Sequence, residues 1–336
     1  VLQGSLPEAT GIFIREKQDG KKENPVLKKG QEQGNMENKN YTGHFTAAST
    51  ILIWGTTFIS TKVLLEDFQP VEILVFRFIL GFVILLLLSP RRLKTKGKGE
   101  ELLFVGAGLS GICLYYLLEN IALTYTLASN VGVIISVAPF FTAILAHLFL
   151  GTVSQEEKLG IPFFIGFFLA MAGIILISFN GAELKLNPAG DLLALLAALV
   201  WAVYSVLSRK ISSLGYPVVL TTRRTFFYGL LFMIPASFLL DFQLNVAPLL
   251  NPVNLLNILY LGAGASALCF VTWNFSVKKL GAVKTSIYIY LVPVITVVTS
   301  VLILHEQMGL MSALGVLLTL AGLGLSEIKW KRKSSH

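Results

Sequence analysis

Long apolar runs constrain this chain more than any other feature of its sequence. Each run has about twenty residues, the length of α-helix that crosses a hydrocarbon core of ~30 Å. The runs are continuous and not alternating, which favours helices over a membrane β-barrel. They cover 45–65, 71–89, 102–123, 125–150 and 159–179, and then 190–208, 217–240, 254–277, 282–304 and 310–328. The sequence therefore predicts an all-α membrane protein with ten transmembrane helices.

The distribution of charge predicts the orientation of these helices. Charged residues make up 14% of the chain, against about 25% in soluble proteins. The net charge of +8 does not indicate a nucleic-acid partner, because the basic residues lie in short segments between apolar runs, as in loops retained in the cytosol. The loops on the opposite side offer Lys185 as their basic residue. We expect cytosolic N- and C-termini in a multi-pass protein of the cell membrane (the inner membrane in a Gram-negative source).

Polar segments flank the apolar region. Residues 1–43 are rich in Lys, Glu, Gln, Asn and Gly and lack an early apolar core, so we predict a disordered leader without a cleavable signal. The first methionine is Met36, and we expect the working chain to start near it; a real cytosolic tail is the alternative. Residues 329–336 are predicted to form a basic cytosolic tail.

A repeat relates the two sets of five runs, 45–179 and 190–328. Trp and Pro are scarce in the chain (4 and 12 of 336 residues), yet both recur in register with two basic residues, at a constant offset of 147. The residues are Trp54, Lys62, Pro70 and Arg77, followed by Trp201, Arg209, Pro217 and Arg224. The third and fourth runs recur at an offset of 154 and the fifth at 149, so the offset changes in loops.

Five helices per repeat is an odd number, so the second repeat must cross the membrane in the opposite sense to the first. Inverted repeats with a binding site near their interface are typical of secondary transporters that work by alternating access. The sequence therefore predicts two inverted five-helix repeats and a site between them.

Several short motifs show a resemblance to a known family. They are the Trp-Gly-Thr-Thr-Phe around Trp54, the Phe-Arg-Phe around Arg77, the Val-Ala-Pro and Leu-Val-Pro ending at Pro139 and Pro293, the His-Glu at Glu306, and the Ala-Gly pairs at Gly173 and Gly322. With these motifs the chain resembles the EamA-type carriers of the drug/metabolite transporter superfamily over about residues 45–328. One departure is Gly151-Thr152, where the first half of such carriers usually has Gly-Glu.

Charged residues within the runs are the first candidates for the site, because each is costly in a bilayer and needs a reason. Arg77 and Glu119 lie at similar depth near the outer ends of the second and third runs, so we expect them to pair. Arg224 occupies the matching depth from the cytosolic side and could bind carboxylates or act as a gate contact. A purely structural ion pair is the alternative for Arg77 and Glu119.

Other candidates are polar and aromatic residues of the third, eighth and ninth runs, which the resemblance implies line a central cavity. The substrate-contacting candidates are Tyr115, Tyr116, Asn120, Trp273, Asn274, Tyr288 and Tyr290. Aromatic walls with a few polar groups suit a small organic solute, although ordinary packing is the alternative for each. Pro139 and Pro293 lie within runs and are expected to kink or hinge their helices.

These features predict a secondary transporter of small organic metabolites, and the resemblance implies amino acids or similar solutes and export. The first run has no acid at mid-membrane, which argues against the efflux of lipophilic cations seen in the small multidrug relatives. A passive channel and a metabolite-binding scaffold or sensor remain alternatives. No ATP-binding, metal-binding or hydrolase motif occurs, so we predict neither an enzyme nor a cofactor. Coupling to a proton or another solute, and a monomer or homodimer, are left open.

Overall fold

The computed structural model describes residues 25–126, 128–150, 160–178, 187–240, 242–304 and 309–327. Throughout these ranges the regular structure is helical, with no strand. The segment 1–24, Glu306, Gly151-Thr152 and the tail 329–336 lie outside the described residues. The predicted start near Met36 and the predicted disorder of the leader stay predictions.

Helices cover the apolar runs of both repeats, and the first helix begins ahead of its run, within the segment 1–43. The first repeat contains α1 (Pro25–Leu64), α2 (Pro70–Leu88), α3 (Lys98–Gly108), α4 (Tyr115–Tyr125), α5 (Ala128–Ile135), α6 (Ala138–Phe149) and α7 (Ile161–Ser178). The second contains α8 (Pro188–Ser213), α9 (Val218–Leu239), α10 (Pro252–Leu259), α11 (Cys269–Leu280), α12 (Ala282–Ile287), α13 (Leu291–Leu304) and α14 (Leu310–Glu327). In the part of the chain that the structure describes, six helical stretches are long and apolar enough to cross a membrane, and three shorter apolar helices accompany them.

Two of the long stretches are interrupted at equivalent places by π-helical segments. Leu109–Leu114 joins α3 to α4, and Tyr260–Leu268 joins α10 to α11. Residues 109–114 become 263–268 when the offset of 154 is added, so the first segment maps inside the second. In a π-helix the hydrogen bond spans five residues, as from the Tyr115 N–H to the Ser110 carbonyl. Such insertions change which side chains face the centre of the protein and are frequent at functional sites.

The two predicted shape-setting prolines each follow a break in a helix. A proline ring clashes with the carbonyl four residues earlier. For Pro139 that residue is Ile135, where α5 ends before α6 begins at Ala138. For Pro293 it is Ile289, in the 3₁₀ turn Tyr288–Tyr290 that precedes α13. A local interruption of the helix thus precedes each proline, and the role of the two prolines as shape-setting or hinge residues stays a prediction.

The equivalent helices α7 and α14 pack against each other in opposite directions. A Cβ added at Gly173 would lie 2.6 Å from the Gly315 carbonyl oxygen, and one at Gly322 would lie 2.6 Å from the Gly166 carbonyl oxygen. Gly166 and Gly315 are equivalent by the repeat, as are Gly173 and Gly322. Gly173 therefore contacts the equivalent of Gly166, and the equivalent of Gly173 contacts Gly166 itself. This symmetric pairing is expected of an inverted repeat.

Helix α1 contacts the stretch α10–α11 through a line of side-chain hydrogen bonds. The oxygens of Thr46 and Ser276 are 2.7 Å apart and those of Thr50 and Thr272 are 2.6 Å apart. The Ser60 hydroxyl donates to Asn257 at 2.6 Å. Because hydrogen bonds between membrane helices stabilise their association, this antiparallel line fixes α1 of the first repeat against the second repeat.

Candidate functional site

Three tryptophans meet where the two repeats contact each other. The ring centroids of Trp54 (α1) and Trp201 (α8) are 5.3 Å apart, and the rings meet edge to face at 84°. Trp273 (α11) lies 5.1 Å from Trp54 and 6.0 Å from Trp201. Since Trp54 and Trp201 are equivalent by the repeat, their contact marks the centre of the interface between the halves.

Further rings extend this contact toward α2 and α4, and we name the whole set the aromatic centre. Tyr115 lies 4.8 Å from Trp201 and 4.7 Å from Tyr116. Phe270 contacts Trp54 at 5.7 Å and Trp201 at 6.1 Å. The members are Trp54, Phe78, Tyr115, Tyr116, Trp201, Tyr204, Phe226, Phe270 and Trp273. Offset and edge-to-face rings pack favourably in such clusters.

Arg77 of α2 is buried against the aromatic centre, with 1% of its surface exposed. Its guanidinium carbon lies 4.4 Å from the centre of the Tyr116 ring and 5.2 Å from that of Phe78. Its Nε donates to the Ser266 hydroxyl at 3.0 Å. Its Nη2 is buried and has no hydrogen-bond partner among the described residues. Two aromatic rings and one hydroxyl group therefore hold the Arg77 guanidinium group, and its Nη2 donates no hydrogen bond to the described residues.

Glu119 of α4 is also buried, at 3% exposure. The Tyr115 hydroxyl and the Arg77 guanidinium group are polar neighbours of its carboxyl group. Its Oε2 has no hydrogen-bond partner among the described residues. The predicted direct ion pair between Arg77 and Glu119 is wrong, because Arg77 turns onto the rings and Ser266 while Glu119 faces Tyr115.

The two equivalent asparagines differ in how their hydrogen bonds are used. Asn120, which is fully buried, donates to the Pro70 carbonyl at 3.2 Å, and its Oδ1 has no partner in the described part of the chain. Asn274 accepts from Tyr204 at 2.9 Å and from Ser208 at 2.6 Å. Asn274 also donates to Thr222 at 3.1 Å. Both the oxygen and the nitrogen of the Asn274 amide are thus hydrogen-bonded within the protein, whereas Oδ1 of Asn120 receives no hydrogen bond from the described residues.

Arg224 lies apart from the aromatic centre and is engaged by α3. It forms an ion pair with Glu101 at 2.5 Å, and the Tyr228 hydroxyl donates to the same carboxylate. The Arg224 and Glu101 side chains are 35% and 22% exposed. Nearby, the Tyr216 hydroxyl donates to Glu100 at 2.7 Å, and this hydrogen bond raises the pKa of Tyr216. We name Glu101, Arg224 and Tyr228 the α3–α9 latch.

The two predicted tyrosines of the ninth run also lie outside the aromatic centre. The Tyr288 hydroxyl is 2.6 Å from Nδ1 of His44. Tyr290 is fully buried near Phe167, with ring centroids 6.5 Å apart. The structure therefore brings together Arg77, Tyr115, Tyr116, Glu119 and Trp273, places Asn120 beside them on α4, and separates Arg224, Tyr288 and Tyr290.

The sequence contained a signal for two central residues that were not among the predicted site residues. Trp54 and Trp201 revealed the repeat, and residues that are equivalent in an inverted repeat meet if they lie near its axis. Phe78, Ser266 and Phe270 had no such signal, because their positions depend on how the helices rotate and on the π-helical segment that carries Ser266.

Comparison with known proteins agrees with this architecture. The profile of the EamA-like transporter family matches residues 41–179 and again residues 188–327. An uncharacterized transporter of Archaeoglobus fulgidus is 30% identical over 295 residues, which cover 86% of this chain and 99% of that protein. The uncharacterized transporter YyaM of Bacillus subtilis is 28% identical over 255 residues, 73% of this chain and 81% of its own.

A solved structure shows the same fold. A crystal structure with 20% sequence identity superposes with a TM-score of 0.68 and covers 85% of this chain and 97% of its own. The matching of one family profile to both halves explains why equivalent helices and breaks recur through the chain. The chain is a multi-pass protein of the cell membrane, and it belongs to the EamA-like transporter family.

Proposed function

We propose that this protein is a secondary transporter that exports small organic metabolites, amino acids or similar solutes, by alternating access. The observation that carries the proposal is the aromatic centre, where the two repeats meet and where Arg77 and Glu119 are buried with unused hydrogen-bonding capacity. Buried polar atoms are almost always satisfied, so unsatisfied charged atoms at a repeat interface favour a site that a solute completes.

The proposed topology has ten transmembrane helices in two inverted repeats, with both termini in the cytosol. The bias of basic residues supports the orientation. The antiparallel contact of α7 with α14 supports the inversion, because equivalent helices of an inverted repeat run in opposite directions. In this topology the α3–α9 latch lies toward the cytosolic side of the aromatic centre.

The site residues take different roles in this proposal. Arg77, Tyr115, Tyr116, Glu119, Asn120 and Trp273 contact the solute at the centre. Arg224 contributes to the cytosolic gate through the ion pair with Glu101. Asn274, Tyr288 and Tyr290 border the path of the solute, and Pro139 and Pro293 provide the breaks about which α6 and α13 tilt.

Flux through the purified protein in sealed proteoliposomes tests the proposal. A carrier gives flux that saturates with solute concentration, and Arg77→Ala is expected to abolish it. Lys94→Gln, at an exposed position in the loop before α3, is the matched control and retains flux. Flux that never saturates would indicate the channel alternative, and binding without flux would indicate the scaffold or sensor. Unchanged flux in Arg77→Ala would remove Arg77 from the site.

A further inference from the structure

A narrow polar cleft lies between helices α8, α9 and α11 of the second repeat. Its volume is about 20 Å³, which exceeds the ~10–15 Å³ that one water molecule needs. The ring of Tyr204, at its buried end, lies 5.0 Å from that of Trp201 in the aromatic centre. At its mouth α8 and α11 end and α9 begins. We name it the second-repeat cleft, and its principal polar residues are Tyr204, Ser208, Thr221, Thr225, Asn274 and Lys278.

We infer that the second-repeat cleft holds water and connects the cytosol with the aromatic centre, and that the equivalent place in the first repeat is closed to water. The cytosolic orientation of the cleft rests on the proposed topology. The hydration of the cleft and the difference between the repeats rest on the side chains that line it.

The hydroxyl groups of the cleft present acceptors to its interior. A hydroxyl has one hydrogen to donate. Tyr204 and Ser208 donate theirs to Oδ1 of Asn274 at 2.9 and 2.6 Å. Thr221 and Thr225 donate theirs to backbone carbonyls of α9 at 2.8 and 3.0 Å. Because these hydrogens are committed, the remaining lone pairs can accept a hydrogen bond from a molecule in the cleft.

Lys278 supplies a donor at the mouth of the cleft. Its Nζ donates to the Tyr216 carbonyl at 3.3 Å, and an ammonium group has three N–H bonds to donate. Water can accept from Lys278 and donate to the hydroxyl oxygens, which gives it the two to four polar partners that a buried water needs. A metal ion or an ammonium ion would be repelled by Lys278. The lining therefore favours water over a cation.

Larger apolar side chains occupy the equivalent place in the first repeat. At the offset of 147, Thr221 corresponds to Leu74 and Thr225 to Phe78. Leu74 and Phe78 are 1% and 0% exposed. The ring of Phe78 packs edge to face on that of Tyr116, with centroids 5.1 Å apart. Side chains of this size fill the volume that the two threonines leave open.

An outer cavity shows how far water reaches on the opposite side. This cavity of about 470 Å³ includes Leu65 and Gln69, the equivalents of Ser212 and Tyr216 at the mouth of the second-repeat cleft. Neither of the two apolar side chains further in is among its lining residues. Water therefore reaches the equivalent mouth in the first repeat and meets an apolar barrier behind it.

Hydroxyl-radical footprinting of the purified full-length protein tests the hydration. X-ray radiolysis forms the radicals from water, and a buried ring is oxidised when water touches it. Tyr204 is 1% exposed, and Phe78 and Phe104 are 0% exposed. We expect Tyr204 to be oxidised about tenfold faster than either phenylalanine, because water in the cleft contacts it. Oxidation of Tyr204 as slow as that of Phe104 would overturn the inference.

Two substitutions at one position test the route. Thr221→Leu introduces the side chain of the first repeat and should slow the oxidation of Tyr204 to the rate of Phe104. Thr221→Val has the shape of threonine without the hydroxyl, so this matched control should retain fast oxidation. Unchanged oxidation in Thr221→Leu, or equal loss in both variants, would contradict a route that depends on the open volume.

The side of access is tested with Ser212→Cys at the mouth. Cys113 and Cys269 are buried, so the unaltered protein gives the background. The impermeant reagent methanethiosulfonate ethylsulfonate should modify Ser212→Cys in inside-out vesicles and not in right-side-out vesicles. The reverse pattern would overturn the cytosolic assignment. Neither labelling experiment requires transport, whereas the proposed function fails separately, when no solute gives saturable flux.

Discussion

At the scale of single residues, the two halves of the protein have diverged at equivalent positions. The Trp54 indole donates to the Ala265 carbonyl at 2.9 Å, whereas the equivalent Trp201 indole has no acceptor among the described residues. Arg77 is buried among rings, and its equivalent Arg224 forms an ion pair with Glu101. The residue equivalent to Glu101 is Leu255. The ion pair between Arg224 and Glu101 therefore has no counterpart between Arg77 and Leu255.

This divergence predicts different effects of the same substitution at the two tryptophans. Trp54→Phe should destabilise the folded protein by about 0.5–1.5 kcal/mol, because the Ala265 carbonyl loses its donor. Trp201→Phe removes an indole N–H that has no partner and should lower the free energy of unfolding less. Thermal unfolding in detergent without solute measures both. Equal destabilisation would show that the Trp54 hydrogen bond contributes nothing.

At the scale of helices, glycine determines how closely α7 and α14 approach. A Cβ at Gly173 would lie 2.6 Å from both the Gly315 oxygen and the Thr319 nitrogen, which are backbone atoms and cannot move alone. Small residues that allow backbones to approach are a main source of helix association in membranes. The contact between these helices therefore depends on the absence of a side chain.

Gly173→Ala is accordingly expected to destabilise the protein by about 1–3 kcal/mol through overpacking. The matched control is Gly324→Ala on α14, where an added Cβ meets nothing within 4 Å. This control should be neutral or slightly stabilising, since alanine favours helix more than glycine does. Thermal unfolding of the two variants makes the comparison, and a destabilised Gly324→Ala or an unaffected Gly173→Ala would contradict it.

The α3–α9 latch leads to a second prediction about helices. A double-mutant cycle with Glu101→Gln and Arg224→Gln should give a coupling free energy of about 1 kcal/mol or less, because both side chains are partly exposed. Either variant should also increase amide hydrogen exchange in the part of α9 that contains Arg224 and Tyr228. Tyr228→Phe, which removes one donor to Glu101, should give a smaller increase than Glu101→Gln. Exchange that no variant changes would show that the pair does not hold the helices.

At the scale of the whole molecule, the repeat correctly predicted a helical protein built from two related halves. The lengths of the apolar runs predicted the helices. The shared register of Trp, Pro and Arg predicted that the two halves are related and contact each other. Arg77, Tyr115, Tyr116 and Glu119 were recognisable as candidates because charged and polar groups are costly within apolar runs. Their mutual contacts were not predictable, because they depend on side-chain rotamers. The π-helical segments were not predictable either, since their residues do not differ in kind from those of an ordinary apolar helix.

The charge of the whole interior predicts what the protein does not transport. Glu119 is the one acid deep within the predicted spans, and Arg77 lies in the same buried region. The acid that a lipophilic cation would meet in this region, Glu119, already has the positively charged Arg77 as a neighbour. Vesicles that contain the protein are therefore expected to show no quaternary-ammonium flux above that of empty vesicles. Robust transport of such a cation would overturn this expectation.

The meeting of Trp54, Trp201 and Trp273 has a practical consequence for spectroscopy. These are three of the four tryptophans in the chain, and their rings lie within 5.1–6.0 Å of one another. Intrinsic fluorescence is consequently dominated by the point where the repeats touch, and its intensity and emission wavelength report on how tightly that point is closed. The molecule thus carries an optical reporter of the contact between its two repeats, readable without any attached dye.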